Sequence, residues 1–309
     1  MFLPFGKASK SITIGLDIGT SLIKLAQLEK KGNKVTLTKL AIVETPMGSM
    51  DKGKIINPKI LGEIINKTIK INGFRQQNVV IGLPGRSVII RQVRFPLMEP
   101  EELQETLKWE GDRYLPLPPN DSIVDFHILQ RFTEINPPEM EVVLVGVNKG
   151  IVNKYLEVAQ EAEIALKAIE VTTFAFLKSL DSDNISGTIV VLNMSTLDLE
   201  MVILYNGLLR FSRVIPNASN EDLLREIQRS IDFHRIQNRE EVVEKIILAG
   251  NHLDLAGLTQ SLAQELGINV EKANPFTLVE PAPAFDPNYL EQIAPTLGVS
   301  IGLALRTEK

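Results

Sequence analysis

The sequence of 309 residues contains no cysteine, which excludes disulfide bonds, thiolate metal sites and a cysteine nucleophile and is typical of a cytosolic protein. Aromatic residues are scarce, at 6%, with a single tryptophan. No apolar run approaches the ~18 residues of a membrane span, and the N-terminus does not read as a secretory signal. The 33 basic and 38 acidic residues form no long block of one sign, so we expect no affinity for nucleic acid.

The pattern of apolar residues indicates that the chain contains two similar halves. Each half shows three short alternating stretches, typical of an antiparallel meander, followed by an amphipathic helix. The predicted strands are 12–16, 22–29 and 34–43 in the first half and 188–192, 199–205 and 208–215 in the second. Aligning the ends of the first strands places Asp17 opposite Asn193. This duplication predicts two α/β units that face each other across a cleft.

An α+β segment interrupts the first of these halves. Residues 86–163 alternate as strand, helix, strand, strand and helix, which predicts a small inserted domain. We predict a first domain at 1–85, to which 164–183 and 289–309 return, and a second domain at 184–288. The last apolar stripe, over residues 290–305, predicts one continuous helix.

Several motifs resemble those of a known family. The sequence LDIGTS at 16–21, followed by LIKL, resembles the first phosphate loop of the actin, Hsp70 and FtsA superfamily. The wider series resembles the PilM family of type IV pilus assembly proteins: VIIR at 88–91, FPLM at 95–98, KWEGDRYLPLP at 108–118, VDF at 124–126, SIDFHRIQ at 230–237 and LGVSIGLAL at 297–305. The resemblance implies an α/β fold of duplicated actin-like (RNase H-like) domains with a small α+β insertion, as in FtsA and PilM. The second half carries a reduced subdomain, because little more than residues 216–224 separates its meander from its helix.

The same resemblance implies ATP with magnesium as the candidate cofactor. The residues at the corresponding positions are Asp17, Gly19, Thr20, Ser21, Lys24, Asn193 and Gly250. Asn193 stands where the family usually has an aspartate, and Gly250 is followed by Asn251 and His252 where further glycines are usual. We therefore expect a non-catalytic protein, and an ATP-dependent switch or polymer is the alternative. The histidines at 127, 234 and 252 lack metal-ligand spacing, so we predict no metal site.

The resemblance also implies a protein partner. In PilM-like proteins the N-terminal cytoplasmic tail of PilN, an inner-membrane protein, docks between the first domain and the inserted domain. The candidate contact residues are Trp109, Tyr114, Val124 and Phe126. The alternative is that both Trp109 and Tyr114 belong to the core of the insertion.

The resemblance thus implies a cytoplasmic adaptor that is held at the inner membrane through its partners. It would serve the assembly platform of a type IV pilus or of a related secretion or DNA-uptake machine. Pilus motor ATPases and a second copy of the chain are further candidate partners.

Overall fold

The computed structural model describes residues 11–181, 185–217, 219–251 and 255–306, so the predicted feature at His252 lies outside the described residues. The strands are β1 (Ser11–Ile18), β2 (Leu22–Lys31), β3 (Lys34–Glu44), β4 (Met50–Asp51), β5 (Lys54–Ile55), β6 (Val79–Leu83), β7 (Val88–Pro96), β8 (Ser122–Phe132), β9 (Glu139–Asn148), β10 (Leu166–Val171), β11 (Thr188–Met194), β12 (Asp198–Tyr205), β13 (Leu208–Pro216), β14 (Val243–Gly250), β15 (Asn269–Lys272) and β16 (Glu280–Pro281). The helices are α1 (Pro58–Asn72), α2 (Pro100–Tyr114), α3 (Lys149–Glu161), α4 (Thr172–Lys178), α5 (Asn220–Gln237), α6 (Leu255–Leu266), α7 (Pro287–Ile293) and α8 (Gly298–Ala304).

The chain divides into two compact units. The small unit comprises residues 84–156, and the large unit comprises 1–83 and 157–309. The domain limits drawn from the sequence differ from these and stay predictions. No helix among the described residues is long and apolar enough to cross a membrane.

The large unit contains two sheets that share a five-stranded topology, and the first sheet has β16 as an additional edge strand. One has the strand order β10-β6-β1-β2-β3-β16, and the other has the order β13-β12-β11-β14-β15. In each sheet an antiparallel meander is extended by two parallel strands on the side of its first strand. The register is repeated as well, because Asp17 pairs with Lys24 and Asn193 pairs with Glu200. The predicted duplication is confirmed.

The second sheet has an apolar core of its own. The α5 residues Leu223, Ile227 and Ile231 are buried in the same cluster as Leu192 and Met201 of the sheet. Helix α5 begins at Asn220, because the side chain of the preceding Ser219 accepts a hydrogen bond from the Asp222 amide at 3.2 Å.

The prediction of one continuous helix over residues 290–305 is wrong, because the structure divides this segment into three parts. Helix α7 ends at Ile293, residues Ala294–Thr296 form a 3₁₀ turn, and α8 begins at Gly298. Pro295 lies at the point of interruption, where its ring cannot supply a backbone N–H donor. The apolar stripe continued through the break because both helices pack against the same core.

The small unit is a three-stranded antiparallel sheet with α2 packed on it. The strand order is β7-β9-β8, so β7 and β8 are the edge strands of this sheet. Leu103 and Leu107 of α2 are buried in one apolar cluster with Phe95 of β7 and Leu144 of β9. Because this face of α2 packs on the sheet, the opposite face, which includes Trp109, is exposed to solvent.

The buried imidazole of His234 on α5 predicts a pH dependence of stability. Burial lowers its pKa and so does the nearby Arg210, whereas the Glu241 carboxylate, whose Oε2 lies 3.1 Å from Nε2, opposes this shift. The unfolded chain therefore binds a proton more readily than the folded chain. The contribution of His234 to the free energy of unfolding is therefore complete above the ordinary histidine pKa of about 6.5. It declines as the pH falls below that value.

We expect the free energy of unfolding to fall between pH 7 and pH 5, and to fall less steeply in His234→Gln. Urea titrations of both proteins across this range measure the two slopes. Equal slopes would contradict the assignment.

Candidate functional site

A groove crosses the surface of the small unit between α2 and β8. Its volume is about 260 Å³, and all of its lining residues belong to this unit. The lining consists of Gln104, Leu107, Lys108, Trp109, Gly111, Leu115, Leu117, Ser122, Val124, Asp125 and Phe126. Three of the four residues predicted to contact a partner, Trp109, Val124 and Phe126, are thus brought together here.

Trp109 and Tyr114 have different environments. The Trp109 side chain is 84% exposed, so the alternative that places it in the core is wrong. Tyr114 is half-buried, and its ring centroid lies 4.9 Å from that of Phe95. Tyr114 is absent from the groove lining. A large exposed indole beside a groove with leucine, valine and phenylalanine in its lining is typical of a protein contact site.

Gly146 on β9 shapes the groove. A Cβ at this position would lie 2.6 Å from Leu117 Cδ1 and 2.8 Å from Leu115 Cδ1. The bare backbone of Gly146 therefore lets both leucines pack over the sheet, where they line the groove. No local signal in the sequence identifies this role, since it depends on a contact between distant segments.

The mixed lining of the groove can receive an extended peptide that carries both apolar and polar side chains. Leucine, valine and phenylalanine side chains provide most of the apolar lining, and the exposed charges of Lys108 and Asp125 border it. Strand β8 alongside is an edge strand, and such strands offer backbone hydrogen bonds to an added peptide. Apolar pockets beside a strand edge are a recurrent means of peptide recognition.

A second candidate site lies in the large unit, where the two sheets meet. We call residues 17–22 and 193–198 the facing loops, because each range comprises the end of the first strand of its meander and the turn to the second strand. They include Asp17, Gly19, Thr20 and Ser21, which the resemblance assigns to phosphate binding. The loops are in direct contact, since Ser21 Oγ lies 2.5 Å from Thr196 Oγ1.

Asp17 and Lys24 form a buried ion pair beside the first loop. Lys24 Nζ donates to Asp17 Oδ2 at 2.6 Å and also lies 3.3 Å from the Thr296 carbonyl oxygen. Both side chains are about nine-tenths buried. The two predicted phosphate-site residues are therefore together, and each has the other as a charge partner.

The second loop is a tight turn organised by Ser195. The Ser195 hydroxyl accepts hydrogen bonds from the amides of Leu197 and Asp198, each at 3.1 Å, and donates to Asp198 Oδ1 at 2.6 Å. The Ser195 amide donates to the Asp198 carbonyl at 2.8 Å. Three backbone N–H groups of this loop are thus hydrogen-bonded within the loop itself.

The remaining predicted residues, Asn193 and Gly250, lie at the ends of β11 and β14. Gly250 has φ of 114°, and a Cβ there would lie 1.9 Å from the Met194 carbonyl oxygen. The Asn251 amide donates to that same oxygen at 3.2 Å. The ends of the two strands are thus packed directly on each other.

The buried carboxylate of Glu200, which no sequence motif indicates, also joins the two halves of the large unit. Its Oε1 accepts from Thr172 Oγ1 at 3.1 Å, and its Oε2 accepts from Thr173 Oγ1 at 2.9 Å. Glu200 occupies in the second meander the register position that Lys24 has in the first, a relation that the alignment of the halves could have revealed.

The described part of the chain contains no cluster of three or more histidine, aspartate or glutamate side chains that could hold a metal ion. His234 is buried in the large unit, and His127 is exposed on β8.

Comparison with known families gives one match that covers most of the chain. The family model described as type IV pilus assembly protein PilM matches residues 15–216 and 216–308.

Solved structures show the same relation. The chain is similar to a structure titled PilM-PilN type IV pilus biogenesis complex, with 26% identity, a TM-score of 0.86 and coverage of 95% of this chain and 98% of that chain. A Bacteroides thetaiotaomicron protein with an actin-like ATPase fold and unknown function is 12% identical, with a TM-score of 0.56 and coverage of 99% and 100%. The ethanolamine utilization protein EutJ of Carboxydothermus hydrogenoformans is 11% identical, with a TM-score of 0.52 and coverage of 97% and 91%. The predicted actin-like fold is confirmed.

Proposed function

Since this chain belongs to the family of the type IV pilus assembly protein PilM, we propose that it is an adaptor that binds the N-terminal cytoplasmic tail of a PilN-like inner-membrane protein. The groove between α2 and β8 is the proposed binding site. The observation that carries this assignment is the exposed Trp109 beside a groove of the small unit whose lining is partly apolar and partly polar.

The similar complex supports the choice of partner. That structure contains PilM together with PilN, and the similarity extends over 95% of this chain. Through such a tail the chain would be held at the cytoplasmic face of the inner membrane, as part of a pilus platform or of a related secretion or DNA-uptake machine. Pilus motor ATPases and further copies of the chain are candidate partners in the same assembly.

Two opposing free-energy contributions determine the expected affinity of the peptide. Burial of a few aliphatic side chains contributes roughly 25 cal/mol per Å² of apolar surface, and the ordering of a flexible tail opposes binding by about 2–5 kcal/mol. We expect a net binding free energy of about −8 kcal/mol, which corresponds to a micromolar Kd.

A synthetic peptide with the sequence of the partner's tail tests the proposal. Trp109 is the single tryptophan of the chain, so its fluorescence reports on the groove without labelling. We expect a blue shift that saturates at micromolar peptide in the absence of nucleotide. By calorimetry, Trp109→Ala and Phe126→Ala each weaken binding by about tenfold or more, because each removes an aromatic contact at the groove.

Two variants in the large unit serve as controls. Phe233→Ala removes an aromatic side chain that is 50% exposed, and Asp17→Ala alters the first facing loop. Both should leave the peptide affinity unchanged, because neither residue lines the groove. Failure of the peptide to bind at hundreds of micromolar would overturn the proposal, and so would binding that requires ATP and is lost in Asp17→Ala.

A further inference from the structure

We infer that the facing loops of the large unit act as a latch that joins its two halves, and that they do not hold a magnesium nucleotide. The fold is that of actin-like ATPases, in which ligands would enter at the carboxyl ends of the parallel strands. In this chain several side chains and amides at those strand ends are bonded to one another. This inference does not depend on the identity of the peptide partner.

Four amides of the facing loops are already bonded within their own turns. Phosphate-binding loops present free N–H groups to the phosphate oxygens. The amides of Ser195, Leu197 and Asp198 are instead bonded within their own turn. In the first loop the Gly19 amide donates to the Leu22 carbonyl at 3.0 Å. A phosphate would have to break these hydrogen bonds to gain equivalent ones.

The charges at the loops also disfavour a magnesium nucleotide. A magnesium ion bound with phosphates requires carboxylate or water oxygens beside it. Asp17 is paired with Lys24, and the equivalent position in the second half is the uncharged Asn193. Asp198 places a buried carboxylate in the second loop, where it would repel phosphate. The residues present therefore do not fit this cofactor.

Polar contacts in the facing loops and beside them connect the two halves. Ser21 meets Thr196 across the boundary, and Glu200 accepts hydrogen bonds from Thr172 and Thr173. The Glu200 contacts are buried, where a hydrogen bond to a charged group is strong and its loss is costly. The halves are thus joined by polar contacts that need no ligand between them.

Disulfide trapping tests the latch directly, because the chain has no cysteine of its own. The Oγ atoms of Ser21 and Thr196 are close enough for sulfur atoms at the same positions to bond. We expect the double variant Ser21→Cys/Thr196→Cys to oxidise to an intramolecular disulfide without nucleotide. The rate should be unchanged by millimolar Mg-ATP. Each single cysteine variant is the control, since it must fold and keep a free thiol.

Thermal unfolding of the unmodified chain is the second measurement. A ligand that binds the folded state raises Tm, so Mg-ATP at millimolar concentration should leave Tm unchanged. Three results would overturn the inference. They are absence of the disulfide while both single variants fold, a several-fold slower oxidation in Mg-ATP, and a rise in Tm with Mg-ATP that Asp17→Ala abolishes.

Discussion

Replacement of Lys24 by methionine should lower the free energy of unfolding by about 3–5 kcal/mol, because it leaves the buried Asp17 carboxylate without its counter-charge. The two side chains are only 10% and 11% exposed, and their charged atoms lie 2.6 Å apart. Methionine has a similar length and is apolar, so the change removes charge and hydrogen bonds with little loss of volume. Urea denaturation of the two proteins measures the difference.

Two comparisons separate the effect of the unpaired charge from other causes. The double variant Lys24→Met/Asp17→Leu removes both charges and should recover a large part of the lost stability. Lys34→Met is the matched control, since the Lys34–Glu280 pair is more than half exposed and contributes less than about 1 kcal/mol. A Lys24→Met protein as stable as Lys34→Met would show that the buried pair does not stabilise the fold.

The duplicated sheets could be predicted from the sequence because their signals are local. Alternation of apolar residues indicates each strand, and the turn at Asn206–Gly207 places both residues at positive φ, as a tight hairpin requires. The short strands β4, β5 and β16 were not predicted, since two residues show no periodicity. The interruption at Pro295 was missed because the apolar stripe outweighed a single proline.

The candidate sites were only partly predictable, because they depend on contacts between distant segments. Ser21 and Thr196 are 175 residues apart, and no local pattern indicates that their hydroxyls meet. The presence of Asn193 in place of an aspartate indicates an altered cleft. The hydrogen bonds of Ser195 and Glu200 cannot be predicted in this way, because they form only in the folded chain. Likewise, Trp109 could be named from its motif, whereas its exposure required the orientation of α2.

The contact between α8 and α4 leads to the second large expected effect, in the variant Gly302→Ala. A Cβ at Gly302 would lie 1.7 Å from the Ala175 carbonyl oxygen of α4. Because that atom belongs to the backbone, it cannot move aside by a change of rotamer, and the two helices must separate. We expect a loss of about 3 kcal/mol in the free energy of unfolding.

Gly111→Ala is the matched control, since it makes the same substitution in another helix. At Gly111 of α2 the nearest neighbour of a new Cβ is Val124 Cγ2 at 3.8 Å, which is an ordinary contact. Alanine is preferred over glycine within a helix by about 0.5–1 kcal/mol, so this variant should be slightly more stable than the unmodified chain. Helix propensity favours both substitutions equally, and the predicted effects therefore differ in sign only through the contact with Ala175. If urea denaturation shows that Gly302→Ala is as stable as Gly111→Ala, the close packing of α8 on α4 is not a constraint on this fold.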